Sequence, residues 1–395
     1  MLLKDIKAAF PTANVLTHDD LDGYVSGAIA TKCLQLLGYK KQEIRVWHQS
    51  PSEPFQMNPG FTIITDLSCS SCNNYTKIMY MAKNSDNLVI WTDHHLNSVE
   101  MCKEMPDLKR VYGIRNTSGC GSMLIFVLYQ ILYMYKKMNR YDSITLKNIF
   151  EDNKALHNFF YNDGDWPFHN SPWLIPDYVN LLNYNTIPYP LLLTNAWDIH
   201  LTRVPEFEKA SLYNVAFFHS TEFEKDVFSD YLQKYIVPES YEELLKAESI
   251  TEKYITNGAK ITRYQRYFYL DQLLQKGFLG RFDIPGYEDV WMICTNQKSM
   301  NFQTAFWTFE TEYCPYDYAF TWVFSGNKYE ITVYKRNAKP YEDKTAKGFC
   351  TRLGGGGHPG CAGAHVDVFP ILLDVKPFPD DFRKRIKEEI DTLFI

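Results

Sequence analysis

The sequence predicts an α/β protein with an N-terminal domain, built on a mainly parallel sheet flanked by helices, and a smaller C-terminal α/β domain. Three observations predict it. Short β-rich runs alternate with helical patterns through the first third of the chain, the order that gives a parallel sheet covered on both faces. At 395 residues the chain is too long for one ordinary core. From about residue 275 closely spaced strands appear, followed by a glycine-rich loop and an amphipathic tail. The boundaries this suggests are 1–225 for the first domain, 226–274 for a helical linker with the helix near 240–255 as hinge, and 275–395 for the second domain.

The elements follow in order. "NVLTH" (14–18) reads as a strand, and "LDGYVSGAIATKCLQLLGY" after it repeats Leu21, Val25, Ile29, Cys33 and Leu36 at helical spacing. "EIRVWHQ" (43–49), "FTIITDLS" (61–68), "NLVIWTD" (87–93) and "KRVYGI" (109–114) are further strand candidates, and "NNYTKIMYMAKN" carries a helical stripe. The apolar run Met123 to Tyr135, interrupted by Gln130, is too short to span a bilayer and reads as a helix buried against the sheet. Residues 151–195 are less regular, with "NDGDWPFHNSPWLIPDY" as a loop, and a helical stretch follows "TNAWDIH" to about residue 220. "SYEELLKAESITEKYI" (240–255) has the charged composition of a linker helix. "DVWMICTN", "YDYAFTWVFS" and "KYEITVYKRN" read as strands, and the tail places Phe382, Ile386, Ile390 and Leu393 on one helical face.

Composition narrows the class. Hydrophobic content of 45% with 22% charged residues is that of a soluble globular protein. A net charge of −6 argues against a coat for nucleic acid, which would need a basic face, but leaves room for a small nucleotide held through metal ions. The 28 Tyr and 26 Phe read as an aromatic core rather than as base-stacking surfaces. The N-terminal "MLLKDIKAAFPTANV" has no uninterrupted apolar core and no small-residue cleavage site, so no signal peptide is expected. Cys69 and Cys72 form one CxxC without a second pair at zinc-finger spacing, and the nine cysteines read as thiols of a reducing cytoplasm.

Acidic and imidazole groups fall at the ends of several predicted strands. "VLTHDDLDG" puts His18, Asp20 and Asp22 at one end, "FTIITDLS" puts Asp66 at another, and "NLVIWTDHH" puts Asp93, His94 and His95 at a third. In a doubly wound sheet strand carboxyl ends meet in one crevice. Carboxylates so crowded raise one another's pKa unless a cation neutralises them. Oxygen and imidazole donors without thiolate suit Mn²⁺ or a similar ion, and the number of donors suggests two ions sharing a carboxylate, the arrangement that clamps a phosphoryl displacement. Taken singly, Asp22 or Asp66 reads as a helix cap and a single histidine as a structural hydrogen-bonding group.

"GGGGHPGCAGAH" (354–365) is the second signal. Four glycines let backbone approach an anion without Cβ obstruction, and their N–H groups can form a nest. A flexible hinge is the plainer alternative, but it would lack the His-Pro-Gly continuation.

Together, "HDDLDG", the strand-end Asp66, "TDHH" and "GGGGHPGCAGAH", in this order, resemble the DHH/DHHA1 phosphoesterases over most of the chain except the middle third. The length and the two-domain plan are similar to the nanoRNase branch, which degrades very short oligoribonucleotides. The resemblance implies a DHH domain followed by a DHHA1-like substrate-binding domain. It implies that His18 and Asp20 bind a first Mn²⁺, that Asp22 and His94 bind a second, and that Asp66 bridges them. His95 would face the scissile phosphate, with Asp93 orienting the pair. A further aspartate is implied on the second ion, beside an aromatic and ahead of a helix: Asp198 in "TNAWDIH", or else Asp165 in "NDGDW". Gly355, Gly356, Gly357 and His358 would clamp the substrate, and Arg336 and Arg352 would either pair with its phosphates or form surface salt bridges.

The function this implies is Mn²⁺-dependent hydrolysis of short oligonucleotides to mononucleotides, with two ions per site and Mg²⁺ or Co²⁺ as substitutes. The expected partners are short RNA or another small nucleotide, without membrane or long duplex DNA, and an oligomer is allowed. Turnover of 3′-phosphoadenosine 5′-phosphate, a cyclic dinucleotide or pyrophosphate stays open, the loop arguing against the last. A processive single-strand exonuclease would need further domains. A nucleotide sensor without activity is the alternative from another class.

Overall fold

Four short runs rich in β-branched residues make the first sheet: β1 (Ala13–His18), β2 (Ile44–Gln49), β3 (Gly60–Thr65) and β4 (Asn87–Thr92). They are parallel and lie in the order β2-β1-β3-β4. The computed structural model describes residues 1–51, 53–56, 58–68, 72–104, 111–117, 119–152, 187–199, 201, 204–238, 240–296, 314, 316–336, 338 and 342–393. β1 is buried except at His18, and β3 except at Gly60. Nearly unbroken burial follows from helices on both faces of the sheet. The chain leaves β1 towards β2 on one side and returns to β3 on the other, so the carboxyl ends of β1 and β3 flank a topological switch point.

A short helix α1 (Ile6–Ala9) precedes β1. Helix α2 (Leu21–Leu36) is buried on nearly every side, from Leu21 through Leu34 with only Lys32 partly open. It packs on β1 and on α5 (Gly121–Lys137), the apolar run that sequence periodicity marks as helical. Helices α3 (Cys72–Lys83) and α4 (Leu96–Glu104) follow β3 and β4. The expected strand at 109–114 is reduced, among its described residues, to isolated parallel bridges: Tyr112 beside Ile90, with Arg115 beside Asp93. Gly113 interrupts any longer ladder in the left-handed region, at φ 135°.

Helix α6 (Tyr189–Asp198) starts inside the stretch read as irregular, and α7 (Phe207–Phe218) and α8 (Glu222–Tyr235) follow it. A Pro at its second position suits the opening turn of α6. Two compact units result, Met1–Gly258 and Ala259–Ile395, and the division falls inside the long helix α9 (Tyr241–Lys276). The segment read as a linker is therefore shared: Phe228, Leu232, Ala247 and Ile255 are buried in the core of the first unit, while Leu270 and Leu273 are buried in the second. The charged positions between them hid this apolar stripe in the composition.

The second unit is built on a seven-stranded sheet. Its strands are β5 (Phe278–Phe282), β6 (Met292–Thr295), β7 (Tyr318–Ser325), β8 (Lys328–Lys335), β9 (Gly356–Gly357), β10 (Cys361–Val366) and β11 (Leu372–Lys376). They run in the order β11-β5-β6-β7-β8-β10-β9, with only β6 and β7 parallel. Helix α10 (Ala346–Arg352) covers β8 and β10, and the tail helix α11 (Asp380–Thr392) buries Phe382 and Ile386 beside Leu279 and Ile293. Sheet pairing overrides composition here. The Gly- and Ala-rich "CAGAHV", read from sequence as part of a loop, is a strand paired along its whole length with β8. Among the described residues no helix is long and apolar enough to cross a membrane.

Candidate metal centre

Because β1, β3 and β4 are parallel neighbours, their carboxyl ends open on one edge of the sheet. After β1 the chain turns into α2 with Asp20 as N-cap, its Oδ1 accepting from Gly23 N at 2.8 Å. The turn is so tight that a Cβ on Gly23 would lie 2.0 Å from the His18 carbonyl oxygen. The other Asp20 oxygen, Oδ2, stands 2.7 Å from His18 Nδ1.

Asp22, in the first turn of α2, is buried and caps a different helix. Its Oδ2 accepts from Gly121 N at 2.7 Å and its Oδ1 from Ser122 N at 3.0 Å, so it closes the N-terminus of α5. The N-cap residue of α5, Cys120, supplies no side-chain cap of its own. The reading of Asp22 as a plain helix cap is thus correct in kind, but for a helix about 100 residues away.

Asp66 follows β3 in the left-handed region, at φ 53°, with its N–H donating to Thr92 O at 3.0 Å. Backbone of this kind is uncommon outside glycine and costs free energy unless its surroundings hold it. Gly121 lets α5 come this close, since a Cβ there would lie 2.4 Å from Asp66 Cβ. The Asp66 side chain is 1% exposed, and its Oδ2 has no hydrogen-bond partner.

Asp93 at the end of β4 is fully buried. Its Oδ1 accepts from His94 N at 2.9 Å and faces His95 Nδ1 at 2.8 Å. His94 points its Nε2 at three carboxylates: Asp66 Oδ1 at 3.2 Å, Asp198 Oδ2 at 3.3 Å and Asp22 Oδ2 at 4.0 Å. Asp198 is the last residue of α6, not the residue ahead of a helix. It reaches His94 because α6 packs against α2 and α5. Asp165 lies outside the described residues.

Burial and crowding set the charges. Burial, then the negative charges of Asp22 and Asp20, hold both Asp66 and Asp198 well above the usual carboxylate range. Burial lowers His94. For His95 burial works the same way but is outweighed by its hydrogen bond to Asp93 and by that carboxylate's charge, and its pKa rises to about 9. Asp93 is correspondingly lowered, against burial, by the His95 hydrogen bond. In the same way the pairing with Asp20 outweighs burial and raises His18.

Three overlapping groups have donor atoms within 4.8 Å of one another and could hold a metal ion: His18, Asp20 and Asp66; Asp22, His94 and Asp198; and Asp66, His94 and His95. Asp66 and His94 are each shared between two of them. Among the described residues no lysine or arginine forms an ion pair with Asp20, Asp22, Asp66 or Asp198. A buried carboxylate with an unpartnered oxygen, beside three more and with histidines but, among the described residues, no lysine or arginine paired to them, calls for a cation. The donors are oxygen and imidazole nitrogen only, which fits a Mn²⁺-like ion.

The residues assigned to substrate lie in the second unit. Arg352 is exposed but held on its own helix, donating to Gly348 O at 2.6 Å and lying over the Tyr287 ring at 5.1 Å. Arg336 is 6% exposed and directs Nη1 at the Cys314 carbonyl at 3.5 Å, so the expected surface guanidinium is instead buried against the backbone. The glycine run also differs from an open nest. Gly354 N donates to Thr351 O, Gly355 N to Cys350 O and His358 N to Cys361 O, while Gly356 and Gly357 pair with β10. Gly356, Gly357 and His358 are nevertheless exposed, with Gly355 partly so.

Sequence reading missed Gly121, Ser122 and Asn195. The small residues of "GCGS" ahead of the long apolar run were the available signal for a helix start that receives a carboxylate. Asn195 carried none, because its role depends on two helices meeting.

No family model matches the chain, and no curated protein matches it. Solved structures are similar in chain path. An uncharacterized protein from Helicobacter pylori G27 is 14% identical, with 97% of this chain and 98% of that one covered and a TM-score of 0.34. The pGpG-specific phosphodiesterase PggH from Vibrio cholerae is 11% identical over 97% and 99%, at a TM-score of 0.39. RecJ from Thermus thermophilus in complex with Mn²⁺ is 13% identical over 99% of this chain and 53% of that one, at 0.41. None of these scores reaches 0.5, so what this chain does has to be read from its own side chains.

Proposed function

We propose that the protein is a divalent-metal-dependent phosphodiesterase of the DHH type that hydrolyses short oligonucleotides to mononucleotides. The observation that carries this reading is the meeting of His18, Asp20, Asp22, Asp66, His94 and Asp198 in overlapping groups around a buried carboxylate oxygen without a partner. His18 and Asp20 would hold one ion, Asp22, His94 and Asp198 a second, and Asp66 both. Two such ions, when bound, would act as Lewis acids on a phosphate and supply a water of lowered pKa. Mn²⁺ is the expected ion, with Mg²⁺ or Co²⁺ as substitutes.

The chain's own groups do the rest. Asp93 fixes the Nδ1 side of His95 and raises its pKa to about 9, which would leave the other ring nitrogen to donate to a non-bridging phosphate oxygen and offset charge building there. Asp22, with both oxygens accepting from the start of α5, cannot rotate away from His94 without breaking two hydrogen bonds. The exposed His358 and the glycines Gly355, Gly356 and Gly357 are proposed to receive a phosphate of the substrate, with Arg352 beside them. Arg336, buried against Cys314, is left out of that set.

The test incubates the purified protein with Mn²⁺ and labelled RNA of two to about twenty-five nucleotides, beside a cyclic dinucleotide and 3′-phosphoadenosine 5′-phosphate. An Asp93→Ala/His94→Ala double variant is the control. Preferential loss of the shortest RNA, absent in the variant, is the expected result. Turnover of only the cyclic or 3′-phosphorylated nucleotide would keep the chemistry and replace the substrate. No turnover with metal bound would favour a nucleotide sensor.

A further inference from the structure

Asn195 lies outside the proposed ligand set, yet it joins α6, which carries Asp198, to the start of α5, whose first N–H groups orient Asp22 on α2. Asp22 is oriented by the N–H groups of Gly121 and Ser122, so where its carboxylate points depends on where α5 begins. That beginning is fixed from α6: Cys120 N, the backbone group just ahead of the first turn, donates to Asn195 Oδ1 at 3.0 Å. Asn195 is 5% exposed and stands three residues before Asp198, on the same side of α6 within one turn. A continuous path therefore runs from Asp198 through Asn195, Cys120 and Gly121 to Asp22. At its two ends, Asp198 Oδ2 and Asp22 Oδ2 lie 3.3 and 4.0 Å from the same His94 Nε2.

We propose that Asn195 is a positioning residue that sets the spacing of Asp22 and Asp198, and hence the affinity of the ion they share with His94. The proposal rests on the metal reading above. The buried N–H of Cys120 needs an acceptor, and Asn195 supplies it from the helix that also presents Asp198. A side chain that only fastened α6 to α5 would contribute to stability and leave metal affinity alone. One that sets the gap between two ligands changes affinity in protein that is still folded.

The experiment titrates the full chain with Mn²⁺ by calorimetry, well below each variant's melting midpoint, for wild type, Asn195→Leu and Asn195→Asp. Leucine removes the acceptor at similar volume, while aspartate keeps an oxygen in its place. Wild type is expected to bind two ions. Asn195→Leu is expected to weaken one of the two by roughly 10–100-fold, the usual loss when a group supporting a ligand is removed, and to leave the other unchanged. Asn195→Asp should bind both nearly as wild type does. If Asn195→Leu fails to fold, Asn195→Ala removes the same acceptor without the branched carbons and carries the same expectation. A lowered melting midpoint with both affinities intact would overturn the proposal, as would an Asn195→Asp variant as weak as Asn195→Leu. Wild type that binds no Mn²⁺ would refute the metal reading itself, and this inference with it.

Discussion

The end of the parallel sheet and the glycine loop of the second unit both gather polar groups, but they dispose of them in opposite ways. At the sheet end, carboxylates divide their oxygens between the fold and the opening. Asp20 caps α2 with one oxygen and meets His18 with the other, and Asp66 turns one oxygen to His94 and leaves the second without a partner. In the loop, the amides that an anion would use are largely taken by the chain's own carbonyls, and the exposed His358 is what remains to be offered. Unsatisfied polar atoms in a buried place point to a ligand, whereas a glycine-rich sequence by itself does not. Among the described residues, the groups that could hold a metal ion all lie in the first unit.

The strongest expected effect is at the shared carboxylate. Asp66→Asn removes the one charge common to two of the groups, and activity should fall by more than about 100-fold, beyond the usual loss for a merely supporting residue. The same substitution should stabilise the metal-free protein, because it removes a carboxyl group whose ionisation burial and the neighbouring carboxylates oppose. Thermal melting with chelator present checks this. If melting drops instead, the carboxylate has a structural partner not accounted for.

Next in size is Gly121→Ala. Its Cβ would meet Asp66 at 2.4 Å and force α5 outward, at a cost of roughly 1–3 kcal/mol, together with weakened metal binding. Gly356→Ala is the matching change in the loop. Nothing lies within 4 Å of its Cβ, so the unfolding free energy from denaturant titration should move by less than about 0.5 kcal/mol. A raised KM with kcat unchanged would then assign the loop to substrate binding, and an unchanged KM would remove it from the site.

A smaller effect is expected from pH. The folded-state pKa of His95 is raised to about 9, with Asp93 the cause that overcomes burial. Its contribution to stability is thus fully present below about 6.5, its usual value, and is lost as pH rises through about 9. Melting midpoints of the metal-free protein should fall across that window, and more shallowly in His95→Gln. Equal slopes would mean that the Asp93 pair is weaker than its 2.8 Å contact implies.

Much of the first unit was legible because parallel, doubly covered strands write themselves as apolar runs with polar residues at their ends. "NVLTHDD", "FTIITD" and "NLVIWTDHH" each show a strand together with the acidic and imidazole residues at its end. The second sheet was less legible. β10 is made of "CAGAHV", whose small residues have weak strand preference and pair because β8 lies alongside. The burial of Phe228, Leu232 and Ala247 was masked by the charges interleaved with them. Asp198 was visible as an acidic residue beside Trp197, but its place at a helix end depends on packing of α6 that no local pattern encodes. Gly121 and Asn195 belong to the same class: Gly121 matters only once Asp22 and Asp66, about 100 and 55 residues earlier, have been brought beside it, and Asn195 only once α6 meets the start of α5 at Cys120.

The most direct measurement is anomalous diffraction at the manganese edge from crystals grown with Mn²⁺. Two peaks about 4 Å apart, the spacing of a two-metal phosphoryl-transfer site, are expected among His18, Asp20, Asp22, Asp66, His94 and Asp198, with Asp66 touching both. No peak there, in crystals whose Mn²⁺ binds elsewhere or not at all, would contradict the assignment.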